Sequence, residues 1–217
     1  MKLKSILTAT ALVLSAAGMT HAGVVLSDNF NSDTQALDWP GDSVFTSVAV
    51  PQIGGQVSST DLIGPGFYNY CQAGQGNCVD LDGSSGSGNN PAGELLSTSS
   101  IGAGTYTLTF DLSGNDRGAA AQTTDVLVGG SQIWTSGALA SASPWTTYSV
   151  TFTTAGGALE FYEEGPSDNQ GNLLDNISVS TASTTTGVPE PAAWALMLVG
   201  LGGVGALLRR RHVIPAV

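Results

Sequence analysis

The stretch Thr105-Tyr106-Thr107-Leu108-Thr109-Phe110-Asp111-Leu112 alternates between apolar and polar side chains. A period of two belongs to a strand with one face in the core and the other in water. Tyr106, Leu108, Phe110 and Leu112 should face inward, and Thr107, Thr109 and Asp111 outward. Residues 146–154 repeat the pattern, with Tyr148, Val150 and Phe152 on one face and Ser149, Thr151 and Thr153 on the other. Val126 and Val128 suggest a strand between these two, and residues 24–26, 44–50, 159–162 and 173–179 add four more. Glycine accounts for 29 of 217 residues, Ser and Thr abound, and no soluble stretch shows a long helical period. Short strands with Gly-rich turns predict an all-β fold, a sandwich or jelly roll. It should occupy residues 23–179 as one domain.

The segments flanking that domain read as addresses. Residues 1–22 carry Lys2 and Lys4, an apolar run from Ile6 to Ala17, and small residues around Thr20-His21-Ala22. This order predicts a secretory signal peptide cleaved after Ala22. Residues 180–187, all Ser, Thr, Ala and Gly, form a polar spacer with too little apolar content to pack. Val188-Pro189-Glu190-Pro191 follows, then an uncharged run over residues 192–208, then Arg209-Arg210-Arg211. As a helix the uncharged run covers roughly 25 Å, a little under the ~30 Å hydrocarbon core, so it predicts a short transmembrane helix. The arginines place its C-terminal end on the cytoplasmic side. Within it, Gly200-Leu201-Gly202-Gly203-Val204-Gly205 has the spacing of a dinucleotide-binding fingerprint. That fingerprint needs a strand before it and a second strand after it, so these glycines are better read as helix-packing positions.

Val-Pro-Glu-Pro, a short helix rich in Gly, Ala and Leu, and an Arg cluster together resemble the PEP-CTERM sorting signal over residues 188–211. The resemblance implies a protein of Gram-negative bacteria exported with exopolysaccharide. Such a chain is held first in the inner membrane and processed near Pro189-Glu190-Pro191 by an exosortase-type membrane protease. It then reaches the cell surface or the extracellular matrix. Residues 212–217 make a longer tail than the signal usually carries, and a plain C-terminal membrane anchor is the alternative.

Charge narrows the chemistry. Sixteen of the seventeen acidic residues lie between Gly23 and Gly187, against one cation, Arg117. Such a surface repels phosphate backbones, which argues against nucleic-acid binding, and attracts divalent cations or basic partners. Both histidines, His21 and His212, fall outside the domain, and no lysine lies within it. A Ser-His-Asp triad, a Cys-His pair, a Schiff base and a His-ligated metal are thereby excluded. A carboxylate pair, as in glycoside hydrolysis, survives.

Cys71 and Cys78 are the only cysteines, with six residues between them. In an exported chain they predict one disulfide closing a tight loop; a two-cysteine metal site is the alternative. In the last strand a strict period of two puts Leu173, Asp175, Ile177 and Val179 on one face. An inward carboxylate must be paired, protonated or metal-bound, and with almost no Arg or Lys available an all-oxygen Ca²⁺ site is the expected solution. An Asp bonded to backbone N–H groups at a frayed strand end is the competing reading. Asp80-Leu81-Asp82-Gly83-Ser84 has the look of a calcium loop but lacks the EF-hand's later Gly, Glu and helices. Residues 83–91 read as a mobile Gly/Ser/Asn loop.

The closing stretch Asp168-Asn169-Gln170-Gly171-Asn172-Leu173-Leu174-Asp175-Asn176-Ile177-Ser178-Val179 resembles the last strand of galactose-binding-like jelly rolls and many carbohydrate-binding modules. Ser27-Asp28-Asn29-Phe30 resembles their start. The resemblance implies adjacent first and last strands with a structural calcium between them, here on Asp28 and Asp175. Residues 78–83 and 114–118 also recur in exported proteins with this tail, without an assigned role.

Sugar rings pack on aromatic faces while amides and carboxylates bond their hydroxyls. Phe67, Tyr68 and Tyr70 crowd just before the disulfide and are the expected binding edge. Tyr162, flanked by Glu160 and Glu164 on one strand face, is a second exposed ring. Trp39, Trp134 and Trp145 are further candidates, each more often a core or loop packing residue when taken alone. Glu160, Glu163 and Glu164 are the carboxylates a hydrolase would draw on, but neighbours on one strand do not face each other across a cleft. The expectation is therefore a non-catalytic, calcium-stabilised module that binds polysaccharide or plays a structural part in the matrix. A secreted glycoside hydrolase is the alternative.

Overall fold

The computed structural model of the chain describes residues 22–48, 59–84, 92–182 and 199–200. The expected signal peptide before Ala22, residues 183–187 of the spacer and, apart from Val199 and Gly200, the tail in which a transmembrane helix is expected lie outside the described residues. Among those residues no helix is long and apolar enough to cross a membrane. Ala22–Ala182 form one compact unit of twelve strands.

The strands are β1 (Val24–Asp28), β2 (Ala36–Trp39), β3 (Phe45–Val48), β4 (Thr60–Ile63), β5 (Cys78–Asp80), β6 (Glu94–Ile101), β7 (Gly104–Ser113), β8 (Gln122–Val128), β9 (Ser131–Leu139), β10 (Thr146–Thr154), β11 (Gly157–Glu164) and β12 (Leu173–Thr181). Seven make one sheet, in the order β10-β7-β12-β5-β4-β2 with β1 also on β12; five make the other, β3-β6-β11-β8-β9. All the pairings are antiparallel.

β7 supplies the alternation that decides the architecture. Leu108, Phe110 and Leu112 are buried against Val126, Leu159 and Phe161 of the second sheet. Phe110 meets Phe161 edge-to-face across the layers at 5.3 Å between ring centroids. This is a sandwich in which each sheet buries one face. Its periphery is aromatic as well: Trp39 packs on Phe30 at 5.8 Å, and Trp134 on Tyr148 at 4.8 Å. Trp39 is buried at the end of β2.

The first and last strands lie side by side, with Ser27 opposite Ser178 and Asp28 opposite Ile177. The face assignment on β12 differs from the strict period of two. A register shift falls between Asp175 and Ser178, and Asn176 has a left-handed φ of 52°. This bulge sends Leu174 into the central core with Ile177 and Val179. Leu173 turns to the opposite face, packing with Ile63 and Cys78. Asp175 goes with it, opposite Asp111 of β7 and away from Ile177 and Val179. One unpaired residue in a strand exchanges the faces on its two sides.

Candidate functional site

The outer face of the seven-stranded sheet carries a cleft of about 160 Å³, lined by Leu37, Asp61, Ile63, Tyr68, Asp80, Ser84, Arg117 and Asn169. Its floor follows from register. In β4 and β5, Leu62 pairs with Val79 toward the core, so the neighbouring pair Asp61 and Asp80 faces outward. Both carboxylates are buried by the loops above them.

Arg117, from the loop between β7 and β8, closes one side. Its Nη2 meets Asp80 Oδ2 at 2.6 Å, its Nη1 donates to the Asn169 carbonyl at 2.9 Å, and its Nε donates to the Asn115 carbonyl at 3.2 Å. The two segments that sequence resemblance left without a role, 78–83 and 114–118, thus meet through this ion pair. Burial pushes Asp80 up to about 7, with Arg117 and the Asp82 N–H opposing it. Asp61 caps the far side: Oδ1 accepts from the N–H groups of Asp38 and Ser84, and Oδ2 from the Ser84 hydroxyl at 2.6 Å.

The aromatic edge stands on a tight turn. Gly64 and Phe67 exchange both backbone hydrogen bonds at 2.9 Å around Pro65-Gly66. Pro at the first corner and Gly at φ +87° at the second make the type II arrangement. Phe67 anchors the turn against Ile63, Cys78 and Leu173. Tyr68 stands 56% exposed, edge-to-face on Phe67 at 5.0 Å. Tyr70 is 37% exposed, with the Arg117 guanidinium 5.2 Å over its ring. Leu37, which also lines the cleft, is 41% exposed. Of the four expected ligand-binding residues, Phe67 is the anchor, Tyr68 lines the cleft and Tyr70 lies beneath Arg117. Tyr162 lies on the other sheet, opposite Glu94 and Asp125 on its outer face. Burial and the surrounding carboxylates raise its hydroxyl pKa.

Cys71 and Cys78 form a disulfide with 5.6 Å between their Cα atoms. The closed ring is tied to the loop after β1. Asn77 Nδ2 donates to the carbonyls of Phe30 and Asp33, both at 3.0 Å, and Asn31 Nδ2 donates to the Gln75 carbonyl at 2.8 Å.

The end of β1, that loop and the β2–β3 loop together hold the second arrangement. One carboxylate oxygen each from Asp28, Asp33 and Asp42 lies within 4.8 Å of the others, a group that could hold a metal ion. Asp28 Oδ2 and Asp33 Oδ2 are buried without hydrogen-bond partners. Burial first, then the adjoining Asp42 carboxyl group, raises Asp28 to about 7; burial and the Asp42 charge raise Asp33. Of the residues expected to share a cation, Asp28 belongs to this group and Asp175 does not. Asp175 accepts from the Asn176 N–H at 2.6 Å, and burial raises it to about 7, with Asp111 and Asp28 adding. Asp33 and Asp42 sit in irregular chain with no period to flag them. Their only signal in sequence is acidic spacing after Asp28.

Glu163 points into the sandwich and is fully buried, its Oε1 accepting from the Asn172 N–H at 2.8 Å. Burial holds its pKa well above the usual range. Glu160 and Glu164 alternate to the outer side with Tyr162.

Residues 187–211 match the family model of the PEP-CTERM protein-sorting motif. The chain carries a PEP-CTERM sorting motif. A motif of this kind implies an exported protein, anchored transiently in a membrane and processed by an exosortase. No curated protein matches the chain. Among solved structures, the K2 cleaved adhesin domain of Lys-gingipain is similar over 71% of this chain and 98% of that one, at 16% identity and a TM-score of 0.53. The K3 domain of Lys-gingipain from Porphyromonas gingivalis is similar over 75% of this chain and 100% of that one, at 16% identity and a TM-score of 0.51. The CBM22-1 xylan-binding domain from Paenibacillus barcinonensis is similar over 78% and 100%, at 14% identity and a TM-score of 0.47. For the two Lys-gingipain domains, at 16% identity, the likeness is one of fold.

Proposed function

We propose that this PEP-CTERM protein is a non-catalytic component of the extracellular polysaccharide layer whose jelly-roll sandwich binds glycan in the Tyr68 cleft. The observation that carries the reading is an exposed tyrosine ring set on a pinned turn beside a polar floor. A sugar ring stacks its C–H face on such a ring while its hydroxyls meet amide and hydroxyl groups. Asn169 and Ser84 are among the residues that line the cleft. Release from the membrane by an exosortase, leading to the surface or matrix, completes the proposal.

The absence of a catalytic role is supported by how the cleft carboxylates are used. Asp61 accepts three hydrogen bonds from the protein, and Asp80 is paired with Arg117 and accepts from the Gly171 N–H at 2.8 Å. Hydrolysis needs two carboxyl groups about 5 to 9 Å apart with access to one bond. Glu160 and Glu164 lie on the other sheet's outer face. A glycan array of the purified protein in millimolar calcium tests the reading: binding that disappears in Tyr68→Ala supports it, and silence across the array overturns it. Cleavage of a bound polysaccharide, lost in Glu160→Gln or Glu164→Gln, would establish the hydrolase instead.

Calcium is the cation we assign to Asp28, Asp33 and Asp42. Three hard oxygen donors, two of them without any other partner, suit that ion in an exported protein. Their role there is to hold the loop that anchors the disulfide ring.

A further inference from the structure

The chain between β11 and β12, residues 165–172, carries Asn169 to the cleft. Its backbone donors go to buried side chains. The N–H groups of Asp168 and Gln170, on either side of Asn169, both donate to Asp82 Oδ2, at 2.6 and 3.3 Å. The Gly171 N–H donates to Asp80 Oδ1 and the Asn172 N–H to Glu163 Oε1, each at 2.8 Å. From the β7–β8 loop, Arg117 Nη1 donates to the Asn169 carbonyl at 2.9 Å and Asn115 Nδ2 to the Gln170 carbonyl at 2.8 Å. The fit is close: a Cβ on Gly171 would run into the Asp82 nitrogen and Asp80 Oδ1.

Within this set Asp80 is shared with Arg117, but Asp82 serves the loop. It is fully buried, and its Oδ1 accepts from the Ser167 hydroxyl at 3.0 Å. Among the described residues its carboxyl group bonds only to residues 167–170. Two donors on one oxygen close a corner whose middle residue, Asn169, has a left-handed φ of 62°. We propose that Asp82 is a positioning residue for glycan recognition: by holding both N–H groups that flank Asn169, it fixes the corner that presents Asn169 to a sugar stacked on Tyr68. This inference rests on the cleft being the glycan site. A group held in place before binding loses little conformational freedom on binding, so loosening the corner weakens affinity without removing a contact group. The role needs acceptor oxygen rather than charge. In Asp82→Asn the amide oxygen can take both N–H groups while the amide NH2 donates to the Ser167 hydroxyl oxygen; Asp82→Ala removes all three bonds.

The test is titration calorimetry with neutral β-glucan, xylan and galactan oligosaccharides, in millimolar calcium and well below melting. It compares the parent with Asp82→Ala, Asp82→Asn, Asn169→Gly and Val128→Ala. Val128 is buried at the end of β8 away from Gln122, whose Nε2 donates to the Gln170 carbonyl, so its variant weakens the core and spares the loop. Glycine at 169 accepts the left-handed φ. Asp82→Ala and Asn169→Gly are each expected to weaken binding about threefold to tenfold, the size of one hydrogen bond. Asp82→Asn and Val128→Ala should bind as the parent does. Hydrogen exchange at the Asp168 and Gln170 amides should quicken in Asp82→Ala and stay slow in Asp82→Asn. Parent-like affinity in Asp82→Ala, an equal loss in Asp82→Asn, or an equal loss in Val128→Ala overturns the positioning role and leaves the glycan site standing. Should Asp82→Ala not fold, unchanged affinity in Asn169→Gly overturns it as well, since Asp82 would have nothing to position. No binding of any of these oligosaccharides by the parent overturns the role together with the site.

Discussion

Asn77 shows how much a single side chain can hold. Buried in the disulfide ring, it donates two hydrogen bonds to the loop that carries Asp33 and accepts a third from Gln35 Nε2 at 2.8 Å. Asn77→Ala leaves the carbonyls of Phe30 and Asp33 without these donors, and the expected loss is about 1 to 3 kcal/mol in urea unfolding. Next to it, Gly76 has φ +98°, and a Cβ there would run into the Asn31 amide. Gly76→Ala is expected to cost at least as much. Glu163 makes the opposite kind of prediction. Its folded pKa is raised, so the stability it contributes is complete at low pH and falls as pH climbs above the ordinary carboxylate range. Glu163→Gln should melt with the parent near about pH 5 and above it near about pH 8. Identical curves at both values would show that Glu163 ionises without penalty.

At the scale of elements, the aromatic turn between β4 and β5 and the disulfide ring form one device. Phe67 and Cys71 pack on Ile63, Cys78 and Leu173, so the crosslink supports the base of Tyr68 as well as closing its own loop. Replacing both cysteines, Cys71→Ala/Cys78→Ala, should lower stability by about 2 to 3 kcal/mol by the loop-entropy estimate. It should weaken glycan binding in the folded protein too, read by calorimetry at a temperature well below melting. Unchanged affinity would mean that the Gly64–Phe67 turn holds Tyr68 without help. The bulge in β12 is the element that sequence reading could not find. Leu173-Leu174-Asp175-Asn176-Ile177 accepts either face assignment, and the choice fell to the packing of Leu174 in the core.

For the whole molecule, buried carboxyl groups make stability a matter of pH and cations. Asp28, Asp80 and Asp175 are each raised to about 7. Raised carboxyl groups bind protons more tightly in the folded state, so their stabilisation is full below the ordinary Asp range and is lost as pH rises through about 7. The melting temperature should fall between about pH 5 and pH 8 in chelator, and millimolar calcium should restore it at the upper end. Asp33→Asn or Asp42→Asn should remove the calcium response, while Asp175→Asn should preserve it. A response that survives Asp33→Asn and vanishes in Asp175→Asn would return the metal to the strand pair first expected.

Local periodicity was enough for what depends on nearest neighbours in the chain. The alternation at 105–112 and 146–154 marked β7 and β10, and the order of apolar run and arginines marked the sorting motif. Both are written in consecutive residues, because a strand's faces and a signal's segments are contiguous. β4 and β5 have no such mark: Thr60–Ile63 is buried throughout, and Cys78–Asp80 is three residues long. The cleft belongs to the fold in a stronger sense. Leu37, Asp61, Tyr68, Asp80, Arg117 and Asn169 come from β2, β4 and β5 and from the β4–β5, β7–β8 and β11–β12 loops. Antiparallel register sets Asp61 beside Asp80, and chain reversal brings Arg117 onto both Asp80 and Tyr70. Contacts of that kind join residues far apart in the chain, and they exist only once the two sheets have packed.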